Sequence, residues 1–155
     1  MERREFIALL GMAAAAMPAA AQAGAPQPPD SVAARLVGTW SFASSINTRK
    51  DGSTFDRWGA NPQGIFMFDR GGNYAQIIIG SESRVFGAKT FCAFGTYSVE
   101  EAKTLVTRIT SCSTAKLTGT SQSRDIVVLT ANEFKYTNPV TSTGGIAEVL
   151  WKRIS

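Results

Sequence analysis

The chain has 155 residues, of which 44% are hydrophobic and 18% charged, and its formal net charge is +4 at neutral pH. This composition excludes a disordered protein and suffices for one domain with a buried core. Apart from Arg3 and Arg4, the Lys and Arg residues are scattered, so the excess positive charge does not indicate a nucleic-acid site. The sequence contains no His, which removes the usual general base and the commonest metal ligand. We therefore expect no bound metal and no cofactor.

The N-terminal segment, residues 1–23, has the pattern of a cleaved secretory signal peptide. It begins with the charged pair Arg3 and Arg4, continues with an apolar stretch and ends with the small-residue sequence AQA. The arginine pair is similar to the twin-arginine export motif. The apolar stretch is too short and too rich in Ala for a stable membrane anchor. We expect a protein of the periplasm, or one secreted from a Gram-negative bacterium, with a proline-rich leader at 24–30 and one domain at 31–155.

The exported domain is predicted to begin with a single helical turn at residues 31–36 and to continue as β-strands. The first strand covers residues 38–47, where side chains alternate in polarity. This alternation places Trp40 and Phe42 on one face of the strand and Ser45 on the other.

Two runs rich in Ile, Phe and Tyr, residues 64–69 and 74–79, flank a glycine turn and predict a β-hairpin. A two-residue loop of Gly71 and Gly72 would place one set of side chains on a wholly apolar face: Phe66, Phe68, Ile77 and Ile79. The opposite face would be mixed in polarity: Ile65, Met67, Asp69, Tyr74, Gln76 and Ile78. We expect the apolar face to point into the protein and the mixed face to point outward.

The rest of the sequence predicts further short strands, at residues 53–58, 91–99, 104–112, 124–129, 134–138 and 146–154. Residues 82–89 are predicted to form a polar connection, and residues 113–123 a polar surface loop or a short irregular strand. With about eight short strands and no long amphipathic helix, the domain is predicted to be all-β, most simply an up-and-down barrel.

Cys92 and Cys112 lie on the two strands of one predicted hairpin. A turn centred on Ala102 pairs Tyr97 with Thr107 and brings the two cysteines opposite each other. In an oxidising periplasm this pairing predicts a disulfide, which would stabilise the fold by roughly 3 kcal/mol. Two free buried thiols are the alternative.

Several stretches resemble the bacterial and fungal lipocalin-like domain family, in the expected order along the chain: LVGTWSF at 36–42, DGS at 51–53, WGANPQGIFMFDRGGNYA at 58–75, FGTYSV at 94–99, GTSQSR at 119–124 and VLWKR at 149–153. The Gly38-Thr39-Trp40 segment is similar to the G-x-W signature of lipocalins. The resemblance implies a calycin-type β-barrel of about eight to ten antiparallel strands around a small cavity. It also implies that Gly38, Trp40 and Arg153 close one end of the barrel, with the arginine stacked across the indole.

A barrel of this kind is expected to bind a small apolar ligand in its interior. The expected lining residues are Phe42, Phe66, Phe68, Ile77, Ile79 and Arg124, of which Arg124 would orient a polar group of the ligand. One alternative is a cofactor-free isomerase or cyclase acting on an apolar substrate in the same cavity. Its candidate proton-transfer residues are Tyr74, Tyr97, Arg108, Arg124 and Glu148. Another alternative is a barrel filled by its own side chains, with a structural role.

Overall fold

A computed structural model describes residues 28–81, 89–139 and 144–155. The predicted signal peptide, the leader up to residue 27 and most of the predicted connection at 82–89 lie outside the described residues. The described chain forms one helical turn, nine strands and one 3-10 turn: α1 (Val32–Leu36), β1 (Gly38–Thr48), β2 (Thr54–Asp56), β3 (Gln63–Phe68), β4 (Asn73–Ile79), β5 (Thr90–Glu100), β6 (Thr104–Cys112), the 3-10 turn Ala115–Leu117, β7 (Ser121–Leu129), β8 (Glu133–Asn138) and β9 (Ile146–Arg153).

The strands pair antiparallel in a single sheet that closes on itself. Closure follows because β1 pairs with β3 near its start and with β9 along most of its length. The eight strands β1 and β3 to β9 form the barrel, and the short β2 pairs only with the far end of β1. The predicted all-β up-and-down barrel is therefore confirmed. No helix within the described ranges has the length and apolarity that a membrane-crossing helix needs.

The β3–β4 hairpin has a longer loop than the sequence predicted. The backbone N–H of Asp69 donates to the carbonyl of Asn73 at 3.0 Å, and the Asp69 carboxylate accepts from the backbone and side-chain amides of Asn73, each at 2.8 Å. These contacts centre the hairpin on Gly71, so that Phe66 lies opposite Gln76. The loop thus contains three residues between the paired ends instead of two.

This shift corrects the predicted orientation of β4. Because successive side chains of a strand alternate in direction, a one-residue change of register moves every side chain to the other face. Tyr74, Gln76 and Ile78 are buried and point into the barrel. Ile77 and Ile79, which were predicted to line the interior, lie on the outer face, and Ile79 is 54% exposed.

A β-bulge in the β5–β6 pair separates the two cysteines. Close to the turn the predicted pairing is confirmed, but the register shifts at Gly95, where a Cβ would lie 2.0 Å from the carbonyl oxygen of Arg108. Beyond the bulge, Cys112 pairs with the buried Ala93 instead of with Cys92. Cys112 therefore packs toward the core, whereas Cys92 lies on the outer face. Both are free thiols, which corrects the predicted disulfide.

A second bulge lies in β1, between Phe42 and Ser44. Before the bulge, Trp40 and Phe42 share the core-facing side, as predicted. After it, the extra residue turns Ser45 and Asn47 inward, and both are buried. Ser45 was predicted to point outward, because the bulge cannot be recognised from the alternating pattern.

Arg153 and Trp40 lie together at one end of the barrel. The guanidinium carbon is 3.9 Å from the centre of the indole ring. Arg153 also donates three hydrogen bonds to main-chain carbonyls: Nη1 to Val37 at 2.8 Å, Nη2 to Arg35 at 2.6 Å and Nε to Ala131 at 2.6 Å. One side chain thus joins α1, the residue between α1 and β1, and the β7–β8 turn across the closed end.

Gly38 is required at the same end for two reasons. Its φ is 132°, a conformation that side chains disfavour, and a Cβ there would lie 2.5 Å from Arg153 Nη1. The structure therefore brings together the three residues assigned to barrel closure, Gly38, Trp40 and Arg153.

Aromatic rings fill the half of the barrel next to this closed end. Phe66 lies 4.2 Å from Phe68 and 5.3 Å from Trp151 between ring centres, and Phe134 lies 5.7 Å from Trp40. Phe66, Phe134, Trp40 and Trp151 have no exposed surface. This half is a packed core, held by burial and by tilted and edge-on ring contacts.

Candidate ligand-binding site

Inward side chains change from aromatic to polar along the barrel. In β1, Trp40 at the closed end is followed by Ser45, and in β8, Phe134 is followed by Tyr136 and then Asn138. Because β1 and β8 are both antiparallel to β9, which lies between them, they run in the same direction, and their later, polar positions meet at the same end. The barrel therefore has a packed aromatic half and an open half with different chemistry.

A cavity of about 600 Å³ occupies the open half. One part of its wall is apolar: Trp58, Ile78, Phe91, Leu117, Ala147 and Val149. Another part is polar but uncharged: Ser45, Gln76, Ser121, Gln122, Ser123, Tyr136 and Asn138. Three lining side chains are cationic: Arg57, Lys116 and Arg124. Among the described lining residues there is no Asp or Glu. The volume is that of a site for a small molecule.

Arg124 is the buried cation of this site, with 4% of its surface exposed. It lies on β7 opposite Leu105 of β6, and its side chain points inward. Nη1 donates to Thr107 Oγ1 and Nη2 donates to Gln122 Oε1, both at 2.6 Å. The guanidinium carbon is 5.4 Å from the centre of the Tyr136 ring. Its Nε is buried and has no hydrogen-bond partner in the described part of the chain.

Tyr136 connects Arg124 with Gln76. The Gln76 amide nitrogen donates to the Tyr136 hydroxyl at 3.4 Å, while Gln76 Oε1 is buried without a partner among the described residues. Burial raises the pKa of the neighbouring Tyr74, an effect that the charge of Arg124 partly opposes. The inner end of the cavity therefore carries the positive charge of Arg124. It also carries two buried polar atoms, Arg124 Nε and Gln76 Oε1, that have no hydrogen-bond partner among the described residues.

Trp58 is held at the wall by its backbone. Its N–H donates to the Asp56 carboxylate at 2.8 Å, and its carbonyl accepts from Ser81 N–H at 2.9 Å. The Arg57 guanidinium carbon lies 4.9 Å from the centre of the Trp58 ring. Burial lowers the pKa of Arg57, which reflects its position in a partly dehydrated part of the site.

Of the six side chains predicted to line the interior, Arg124 alone borders this cavity. Phe66 and Phe68 belong to the packed aromatic half. Phe42 packs edge-on against Trp151, with 5.3 Å between the ring centres. The two isoleucines lie on the outer face, as the register of the hairpin requires.

The other polar residues considered for proton transfer do not line the cavity: Tyr74, Tyr97, Arg108 and Glu148. Tyr97 donates its hydroxyl to the Asp69 carbonyl at 3.0 Å, and burial together with the Asp69 charge raises its pKa to about 12. Arg108 is exposed, and Glu148 forms an ion pair of 2.6 Å with Lys135. Of these groups, the structure brings only Tyr74 close to Arg124, among the described residues, and its side chain does not border the cavity.

Sequence reasoning missed Gln76, Tyr136 and Trp58 as parts of the site. The inward direction of Gln76 could have been predicted from a three-residue hairpin loop. An Asp four residues before an Asn can close such a loop with its side chain. Nothing in the local pattern distinguishes Tyr136 from the core residue Phe134, which lies two positions earlier on the same face. In the described ranges, no three His, Cys, Asp or Glu side chains are grouped so that they could hold a metal ion.

The barrel is closed and antiparallel, and its strands follow one another in sequence order. A short helix precedes the first strand, and an Arg of the last strand covers a Trp of the first. The chain has a lipocalin-like fold. Neither a protein-family model nor a curated protein matches the sequence.

Several solved structures are similar to this lipocalin-like barrel. A lipocalin-like protein from Bacteroides uniformis has 12% identity and a TM-score of 0.47, over 77% of this chain and 99% of that one. A protein designated EF1p2_mFAP2b, solved with DFHBI bound, has 16% identity and a TM-score of 0.47, over 79% and 96%. A de novo designed fluorescence-activating β-barrel has 14% identity and a TM-score of 0.46, also over 79% and 96%. These similarities are too distant to support an argument about ligand or activity.

Proposed function

We propose that this lipocalin-like barrel binds a small, largely apolar molecule in the cavity of its open half. The observation that carries the proposal is the cavity of about 600 Å³ above a packed aromatic layer. Its volume lies within the usual range for small-molecule sites, and part of its wall consists of Trp58, Ile78 and Phe91. The sequence left open a barrel that is filled throughout by its own side chains. That alternative fits only the closed half.

The apolar wall is sufficient for useful affinity. Removing apolar surface from water contributes roughly 25 cal/mol per Å². A ligand that removes about 500 Å² of apolar surface from water, counted on ligand and protein together, gains roughly 12 kcal/mol, and micromolar affinity remains after an association cost of about 4 kcal/mol. The aromatic half contributes rigidity to the floor of the cavity and no additional volume.

The test uses N-phenyl-1-naphthylamine, a neutral apolar dye whose fluorescence rises when it leaves water. We expect saturable binding to the wild-type protein. Ala147→Trp should weaken it at least several-fold, because Ala147 is buried and its side chain borders the cavity. Ala131→Trp is the matched control, because Ala131 is exposed in the β7–β8 turn at the closed end.

Thermal unfolding of both variants separates blocked binding from a damaged fold. Absence of dye binding to a folded wild-type protein would contradict the proposed function. Equal loss of binding in the two Trp variants would place the dye outside the cavity and would contradict it as well.

We further propose that the protein acts outside the cytoplasm, as the sequence pattern of residues 1–23 suggests. Replacement of Arg3 and Arg4 by Lys should leave the unprocessed chain in the cytoplasm if export uses the twin-arginine route. Fractionation followed by mass measurement of the N-terminus gives the answer. Unchanged processing and secretion would instead indicate the general secretory route.

A further inference from the structure

Arg124 is a buried charge whose partners within the described chain are all neutral. Its two hydrogen bonds go to a hydroxyl and to an amide oxygen, those of Thr107 and Gln122. None of the ion pairs among the described residues involves Arg124. Its Nε is buried and has no acceptor in the described part of the chain. A buried guanidinium in this state lacks both a counter-charge and one hydrogen bond.

The geometry of a guanidinium determines which ligand group could supply the missing hydrogen bond and counter-charge. Nε and the adjacent terminal nitrogen present parallel N–H groups, and a planar or tetrahedral oxyanion can accept from both. A neutral carbonyl would satisfy the hydrogen bond but leave the charge uncompensated. An oxyanion satisfies both, and such charge-assisted hydrogen bonds are about twice as strong as neutral ones.

The surroundings of Arg124 favour an anion for an independent reason. The described cavity wall contains Arg57 and Lys116 in addition to Arg124, and it contains no carboxylate. Three cationic side chains around a partly dehydrated space attract negative charge, and the low dielectric strengthens the attraction. The lining also includes apolar side chains, among them Trp58, Ile78 and Phe91, so the cavity offers both cationic and apolar contacts.

We propose that the molecule bound in the cavity is an amphipathic monoanion whose carboxylate or sulfonate is held by Arg124. This inference rests on the proposed function and specifies its ligand class. The apolar body of the ligand packs against Trp58, Ile78 and Phe91, and its anionic group reaches the inner end beside Tyr136. Arg57 and Lys116 contribute long-range attraction in this arrangement.

Two dyes that differ only in one anionic group provide the first test. 8-Anilinonaphthalene-1-sulfonate is N-phenyl-1-naphthylamine with a sulfonate added. We expect the wild-type protein to bind the sulfonate at least about tenfold more tightly at low salt, the factor typical of one charge-assisted contact. Added water solubility of the anion works in the opposite direction, so tighter binding cannot come from hydrophobicity.

Variants assign the effect to Arg124. Arg124→Gln should remove most of the preference for the sulfonate, measured as the ratio of the two dissociation constants in the same variant. Arg108→Gln is the matched control: it removes the same charge from the neighbouring strand β6, where Arg108 is exposed. Arg124→Lys should retain part of the preference, because it keeps the charge and loses the fork of donors.

A measurement on the wild-type protein covers the case in which Arg124→Gln does not fold. Decanoate and 1-decanol, which share a chain length, are compared as competitors of bound N-phenyl-1-naphthylamine. Stronger displacement by decanoate supports the inference, and equal or weaker displacement overturns it.

The possible results distinguish this inference from the proposed function. If both dyes bind equally and Arg124→Gln affects them alike, the ligand is not an anion, but the barrel still binds a small molecule. If Arg108→Gln lowers the preference as much as Arg124→Gln, the attraction comes from net charge and the assignment to Arg124 is wrong. If neither dye binds, both proposals fail.

Discussion

Replacement of Arg153 by Ala should reveal how much the closed end contributes to stability. Arg153 donates three hydrogen bonds to main-chain carbonyls and stacks 3.9 Å from the ring of Trp40. The end is half-buried, so water would replace part of each lost bond. About 0.7 kcal/mol per hydrogen bond and about 1 kcal/mol for the stacking give a total of about 3 kcal/mol.

The assay is equilibrium unfolding in guanidinium chloride, followed by fluorescence of the buried Trp40 and Trp151. Expressed as a melting temperature, the same loss is about 10 °C for a domain of this size. Lys152→Ala is the matched control, since Lys152 is exposed and pairs with Glu133 on the surface, an interaction that contributes about 0.5 kcal/mol or less.

Arg153→Lys tests the geometry rather than the charge. A single ammonium cannot reach three separate carbonyls, so we expect it to recover less than half of the loss. If Arg153→Ala and Lys152→Ala destabilise the protein equally, the closed end is an ordinary surface, and Arg153 does not stabilise it as argued above.

Three further predictions concern the bulge, the thiols and alkaline stability. Gly95→Ala should destabilise the protein by more than about 3 kcal/mol, because its Cβ would lie 2.0 Å from a carbonyl oxygen. Gly119→Ala is the control: open space surrounds this residue, so the change should cost only about 1 kcal/mol, for its positive φ. Similar losses of stability in the two variants, measured by chemical unfolding, would refute the role of the bulge. Cys92 and Cys112 should both react with a thiol reagent in denatured, unreduced protein, and a count below two per chain would mean that the bulge rearranges to form the disulfide. The pKa of Tyr97 is raised from 10.0 to about 12, so the unfolded chain loses this proton first as the pH rises. The stability that this shift contributes is present well below pH 10 and is lost between pH 10 and 12, at no more than about 1.4 kcal/mol per pH unit. Tyr97→Phe should make the pH dependence of unfolding shallower in that window, and an unchanged slope would contradict the assignment.

The hairpin shows why fold class was easier to predict than the site. The existence of β3 and β4 follows from β-branched and aromatic residues around a glycine turn, and it depends little on register. The inner face depends on whether the loop has two or three residues, and that choice is made by hydrogen bonds between Asp69 and Asn73. Both faces of β4 carry isoleucines, so hydrophobicity could not identify the wrong register.

The bulges explain the other differences. An extra residue in β1 turns Ser45 inward, and another in the β5–β6 pair separates the cysteines, but neither leaves a clear signal in the alternating pattern. By contrast, Trp40 and Arg153 could be placed because a family signature marks them. Arg124 was the only predicted lining residue found at the cavity. It lies in the regular part of the β6–β7 pairing and before the register shift of β7, so no bulge or loop length changes its inward direction.

The pairing of β1 with β9 has a consequence for how the protein folds. All other barrel neighbours are close to each other in sequence order, whereas Trp40 and Arg153 pair across 153 − 40 = 113 residues. Closing so long a loop costs chain entropy before any contact is gained, so this seam should form last and slowly. Until then β1 and β9 are open edges, able to pair with other chains, and the partly folded protein is the form most exposed to aggregation.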